Sequence, residues 1–187
     1  QDPPIVHRDI KPSNLKLTSQ NMLKLVDFGL VKQMAPDELT ITVIQGRGTA
    51  LYTPLEQYGG DVGHTDIRSD IYAFSATLYH LLTNTAPPEA KQRFLRPETL
   101  IDPREIQAEI PDEVAEAVLW GMNLHPDNRP QNIVEFRNAL VGSMPAKVDY
   151  STRPLRKSFP YFNSEVDRLL AGAAIALALL AVFATLT

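Results

Sequence analysis

The stretch HRDIKPSN, His7 to Asn14, packs a base, two cations, an acid and an amide into eight positions. Thirteen residues after Asn14 comes DFG, Asp27 to Gly29. Carboxylate and carboxamide oxygens are hard donors that suit a magnesium ion, a lysine suits a phosphate, and a lone aspartate can orient an attacking hydroxyl. Together these groups fit transfer of a phosphoryl group from a nucleotide to a hydroxyl, a reaction catalysed by positioning and charge neutralisation. Leu15–Leu17 and Leu23–Val26 alternate apolar and polar residues around TSQN, which predicts a β-hairpin. Such a hairpin turns the chain back and carries Asp27 towards Asn14.

Other elements must hold that cluster in place. From Asp27 to Glu56 the sequence has no steady period and reads as a long functional loop. SDIYAFSATLYHLLTN then sets Ile71, Phe74, Leu78, Leu81 and Leu82 on one helical stripe, with Ser69 as the expected N-cap and Asn84 as the left-handed C-cap. Residues 86–111 read as a proline-punctuated loop with one short helix. Val114, Val118 and Met122 recur at helical spacing, NIVEFRNALVG supplies a last helix, and Trp120 is expected in the core.

Composition narrows the partners. The 187 residues are 44% hydrophobic, enough for a buried core, and the net charge of -4 offers no basic field to a nucleic acid. With no cysteine, disulfides, thiolate nucleophiles and cysteine-bound zinc are excluded. Residues 144–168 lose periodicity and carry Lys147, Arg153, Arg156, Lys157 and Arg168 against three acids, which reads as a linker. Leu169 to Thr187 is uncharged for nineteen residues, about 28 Å of helix, close to one hydrocarbon core. The expectation is a membrane span, truncated in this chain, with the basic flank on the cytoplasmic side.

At HRDIKPSN and DFG the sequence resembles the protein kinase family, and Lys11, two residues after Asp9, resembles its serine/threonine branch. The resemblance covers about residues 1–143. It implies an α+β fold: the mainly α-helical C-lobe of the kinase fold with a short hairpin, followed by a linker at 144–168 and a transmembrane helix at 169–187. Carried over by motif, Asp9 is the catalytic base and Lys11 the contact to the transferring phosphate. Asn14 and Asp27 are the ligands of Mg2+ or Mn2+, with ATP as co-substrate. His7, Phe28 and Gly29 are architectural. GTALYTPLE resembles the end of an activation segment, where Thr49 positions Asp9 and Lys11. Its proline is shifted by one from the family's Ala-Pro-Glu, but Glu56 is kept and Arg129 of HPDNRP is its expected partner. Asp70 is expected on the catalytic-loop backbone, and Ser75 stands where the family often has glycine. Arg8 implies control by phosphorylation of the loop, with Thr40 and Thr42 the candidate sites. His64, His80 and His125 match no catalytic position.

The lobe that covers the nucleotide does not fit in Gln1–Val6. The chain is therefore expected to be a fragment, inactive alone, of a bacterial receptor-type kinase. That kinase would be single-pass in the cell membrane, with a cytoplasmic catalytic domain acting on protein Ser/Thr and open to dimers that phosphorylate in trans. A pseudokinase acting as a membrane-anchored binding module is the alternative.

Overall fold

A computed structural model describes residues 5–28, 32–33, 47–58 and 65–148, the backbone alone at 32, 33 and 47. Residues 1–153 form one compact unit and 154–187 a second, which lies outside the described residues. The expected span at 169–187 lies there too. No helix among the described residues is long and apolar enough to cross a membrane.

Two small antiparallel pairs come first. Strand β1 (Ile5–Val6) pairs with β4 (Lys32–Gln33), and β2 (Leu15–Leu17) pairs with β3 (Leu23–Leu25) as the expected hairpin. Leu15 faces Leu25 and Leu17 faces Leu23, so the leucines share one face and Lys16 and Lys24 the other. Asn21 makes the turn in the left-handed region, φ 58°, which asparagine tolerates better than most residues. One helical turn, α1 (Arg47–Ala50), precedes the long helix α2 (Ile67–Thr83).

Helix α2 starts three residues earlier than the sequence suggests. Asp66 is the N-cap and its carboxylate accepts from the Arg68 N–H at 2.8 Å. Ser69 is inside the helix, with its hydroxyl turned to Glu56 at 2.8 Å. Asn84 takes the left-handed C-cap at φ 51° as expected. Leu81 departs from the expected stripe and is 60% exposed, because α2 is packed on more than one side and buries Tyr72, Ala76 and Tyr79 as well as Ile71 of the stripe.

Around α2 stand α3 (Ala90–Leu95), α4 (Pro103–Ile106), α5 (Asp112–Gly121) and α6 (Ile133–Leu140). Residues 86–111 thus hold two short α-helices with a 3-10 turn, Pro97–Thr99, between them rather than one helix, the second α-helix started by the Asp102 side chain on the Arg104 N–H. One core cluster gathers Tyr52, Tyr72, Ala76, Tyr79, Val118 and Met122, and the other Ile71, Ala117, Trp120, Phe136 and Ala139. Met144, Ala146 and Val148 pack against the second cluster. The α2–α5 crossing is close: a Cβ on Gly121 would sit 1.9 Å from Ser75 Oγ. Ser75 is thus accommodated by a glycine on the facing helix, and its hydroxyl donates back to the Ile71 carbonyl at 2.7 Å.

Candidate active site

The segment after β1 is held by α2. His7 N donates to Asp70 Oδ2 at 2.7 Å and Arg8 N to Asp70 Oδ1 at 2.8 Å. Those two bonds secure Arg8 at φ 68°, a left-handed conformation uncommon outside glycine. Burial pushes the Asp70 carboxyl above its ordinary range, against the pull of the two N–H donors and the nearby Arg8 charge. Burial also lowers the pKa of the Arg8 guanidinium, which Asp70 counteracts, and Arg8 Nη2 donates to Thr65 Oγ1. Gln57 Nε2 adds a bond to the Arg8 carbonyl at 3.3 Å.

Just beyond, two polar side chains converge on Asp9. Lys11 Nζ lies 2.8 Å from Asp9 Oδ2, and Asn14 Nδ2 donates to the same oxygen at 3.0 Å and to the Asp9 carbonyl at 2.8 Å. The other carboxylate oxygen, Oδ1, is buried and has no partner among the described residues. A buried acceptor left open in this way is a place for an external donor. Lys11 Nζ also donates to Thr49 Oγ1 at 3.0 Å, which brings the end of the loop onto the same cluster. A proline can open the 3-10 turn Pro12–Asn14 because the first residues of a helical turn need no N–H donor.

The hairpin returns as expected. Val26 N donates to the Asn14 carbonyl at 2.9 Å, so Asp27 begins one residue beyond the point where β3 is tied to the catalytic loop. Asp27 is exposed and takes φ 66°, a second left-handed non-glycine in this short region. The Phe28 ring meets His7 edge-on at 4.9 Å, and His7 Nδ1 accepts from Asp9 N at 3.4 Å, a packing role for both rings. Gly29, Thr40, Thr42 and His64 lie outside the described residues.

The donor set fits a magnesium or manganese ion. Asn14 Oδ1 receives only a long contact from Ser13 Oγ at 3.5 Å, and the Asp27 carboxylate faces solvent. Magnesium is usually held by one or two protein oxygens, with water and substrate phosphates completing its shell. Among the described residues no cluster of three acidic, histidine or cysteine side chains could hold a metal by itself.

Behind this cluster Glu56 and Arg129 form the expected pair. Arg129 Nη1 and Nη2 reach the two Glu56 oxygens at 2.6 and 3.0 Å. Its other three N–H groups go to the carbonyls of Asn123, Arg68 and Leu124 at 2.7, 3.0 and 2.9 Å. All five guanidinium donors are used, and the side chain is fully buried. The guanidinium also lies 4.9 Å from the Tyr72 ring centroid.

Several contacts had no signal in the motifs. Ser69 supports Glu56, Thr65 supports Arg8, and Tyr52 Oη is 2.6 Å from His80 Nδ1 across to α2. Burial pushes the Tyr52 phenol up, and it pushes Tyr58 up to about 12 with help from Glu89 and Tyr72. His125 is exposed and its Nδ1 accepts from Asp127 N, a local turn contact.

A family model described as the protein kinase domain matches residues 2–140. The chain is similar to serine/threonine-protein kinase PknB of Mycolicibacterium smegmatis, 33% identical over 143 residues, covering 73% of this chain and 23% of that protein. It is also similar to tyrosine-protein kinase MasK of Myxococcus xanthus, 33% identical over 141 residues, with 73% and 21% covered. The chain thus spans less than a quarter of the length of these relatives. Among solved structures it matches one described as PpkA-294 apo form, with a TM-score of 0.55 at 23% identity, covering 72% of this chain and 46% of that one. That likeness shows the fold.

Proposed function

The chain belongs to the protein kinase family, and from that premise we propose that it is the helical lobe of a bacterial serine/threonine protein kinase. The reading assigns residues 1–143 to that lobe, 144–168 to a juxtamembrane linker and 169–187 to a membrane span. Family members use ATP and a divalent metal ion. The observation that carries the reading is the Asp9 carboxylate: one oxygen is fixed by Lys11 and Asn14, and the other is open.

The open Oδ1 accepts a hydrogen bond from the substrate Ser or Thr hydroxyl and aims its oxygen at the γ-phosphorus. As the O–P bond forms and the bond to ADP breaks, the hydroxyl proton passes to Asp9. Lys11 has three ammonium donors and spends two, on Asp9 and Thr49, which leaves one for the transferring phosphate. Asn14 Oδ1 and the Asp27 carboxylate would hold the metal, which when bound neutralises phosphate charge. Asp70, through His7 and Arg8, keeps the loop in its left-handed bend. The Ser/Thr preference rests on Lys11 and on the PknB similarity.

The direct test is transfer of radiolabelled phosphate from ATP by the full-length protein to itself and to acceptor proteins. Activity on Ser or Thr is expected, and the 187-residue chain alone should give none, because it offers the nucleotide only one wall. Label in the short chain would contradict the one-lobe reading. A full-length protein inactive under several conditions would point to a pseudokinase. For the span, the full-length protein should stay in the membrane fraction through an alkaline carbonate wash, and its recovery in the soluble fraction would remove the anchor from the reading.

A further inference from the structure

The proposed linker does not start free of the helical base. At Gly142, φ 71°, the chain turns back, and Ser143 N and Met144 N both donate to the Asn138 carbonyl, at 2.8 and 3.2 Å. Met144, Ala146 and Val148 are then half-buried on the core cluster that holds Trp120 and Phe136, while Pro145 and Lys147 between them are exposed. Lys147 Nζ lies over the Trp120 ring, 6.0 Å from its centroid. Residues 145–148 make no hydrogen bond among the described residues. Three partly buried apolar side chains and one cation over a ring hold this strap, so it can leave without opening a backbone ladder.

What the strap covers matters more than its own strength. Trp120 is 1% exposed, and its carbonyl accepts from Asn123 N at 3.2 Å and from Asn123 Nδ2 at 2.9 Å. The Asn123 carbonyl accepts in turn from Arg129 Nε at 2.7 Å, and Arg129 grips Glu56. Gln57, next to Glu56, donates to the Arg8 carbonyl in the catalytic loop. The end of the strap also reaches the Arg129 turn: Lys147, Val148 and Trp120 share with Asp127, Arg129 and Glu135 the lining of an open pocket of about 380 Å³. Close-packed protein would block a shift of that turn, and an open pocket does not. Resting on the kinase reading above, we propose that Met144–Val148 is a regulatory strap: seated on Trp120 it steadies the Arg129–Glu56 clamp and the catalytic loop behind it, and a movement of the linker that lifts it lowers phosphate transfer. Trp120, Lys147 and Val148 are then positioning residues that act through Arg129.

The test uses the full-length protein. Val148→Asp puts a charge on the half-buried contact and should lift the strap. Its kcat should fall about tenfold, within the ~100-fold that a 1 Å misplacement of reacting groups costs, while KM for ATP and for acceptor stays within about twofold. Val148→Ile keeps the contact and should keep kcat. Val141→Ser, at an exposed position beside α6, should change neither constant. Hydrogen exchange follows the same route without needing activity. In Val148→Asp the amides of Asn123, Arg129, Gln57 and Tyr58 should exchange faster, and those of Arg93, Arg96 and Glu105 around α3 and α4 should not. Wild-type kcat in Val148→Asp, or unchanged exchange at Gln57 and Tyr58, would overturn the proposal. So would faster exchange in all seven amides alike, which would make the strap a plain piece of the core. If Val148→Asp does not fold, Met144→Ala combined with Val148→Ala is read in the same way. If the wild type transfers no phosphate, the kinase reading is what fails. The strap is then judged by exchange alone, where faster exchange at Gln57 and Tyr58 supports it and no change there sinks it.

Discussion

The catalytic segment and the helical base invert one another. Around Asp9 four of the six buried side chains are polar or charged: His7, Arg8, Asp9 and Asn14 are each under 10% exposed, beside Val6 and Ile10. On the same segment Ile5, Leu17, Met22, Leu23 and Phe28 are all more than half exposed. In the base the order is the usual one, with Ile71, Tyr72, Trp120, Phe136 and Met122 at 0–1%. Three of the four left-handed non-glycine residues among those described, Arg8, Asn21 and Asp27, also fall in this segment. Buried polar groups and held backbone bends cost stability locally, and the helices around α2 offset that cost. The base stabilises, and the segment carries the proposed chemistry.

Asp9→Asn should separate the two regions most widely. In the full-length protein it keeps the shape but removes the proton acceptor, and phosphate transfer should fall by about 10²- to 10⁴-fold. Its melting temperature should stay close to wild type, since no core packing is lost. A large fall in melting temperature would mean that Asp9 serves the fold as much as the chemistry, and the division would blur.

Arg129 is the opposite case. Arg129→Ala leaves the Glu56 carboxylate with the Ser69 hydroxyl but no cation and takes a donor from three backbone carbonyls, which should cost about 3–5 kcal/mol. Arg129→Lys should recover little, because three ammonium donors cannot replace five in a planar fork. Thermal melts of the kinase domain would read both. A shift of under one degree would remove the clamp from the base.

A third comparison uses apolar residues alone. Phe136→Ala empties a fully buried site and should cost about 3–5 kcal/mol. Leu17→Ala, at 68% exposure, should stay within about 0.5 kcal/mol in the 187-residue chain. Chemical denaturation of both variants measures the gap. Equal effects would show that the hairpin face is covered within this chain.

Legibility in the sequence followed distance along the chain. Asp9, Lys11 and Asn14 lie within six residues, so their spacing alone announced a cluster, and the alternating leucines placed the hairpin that brings Asp27 back. The links from Asp70 to the loop and from Glu56 to Arg129 span 62 and 73 residues, and only the family resemblance pointed to them. Tyr52 with His80 had no motif and stayed hidden. Ser69 misled because Asp66, also a good cap, lies just three residues before it, and the choice was made by Glu56, a partner no local pattern could supply. Met144, Ala146 and Val148 alternate inward against Trp120 and Phe136, a period-two signal obscured by the basic, aperiodic sequence that follows.

The smallest expected effect separates two acids four residues apart on α2. Burial works against ionised Asp66, yet the side-chain and backbone donors of Arg68 outweigh it and hold the carboxyl below its ordinary value. Asp70 goes the other way, because burial outweighs the His7 and Arg8 N–H groups and holds it above. A depressed carboxylate adds stability above the unfolded value near 3.8, and that stability is lost as pH falls through the folded value. A raised one does the reverse: its ionisation costs stability as pH rises from the unfolded value through the folded one. Asp66→Ala removes the α2 cap and its arginine partner, so at pH 7 it should cost about 1 kcal/mol. The gap to wild type should narrow as pH falls below about 4, where wild-type Asp66 itself takes up a proton. Melts between pH 7 and pH 3 would follow it. A gap that stays constant across that range would assign Asp66 a purely neutral cap, and a gap that widens would reverse the sign argued here.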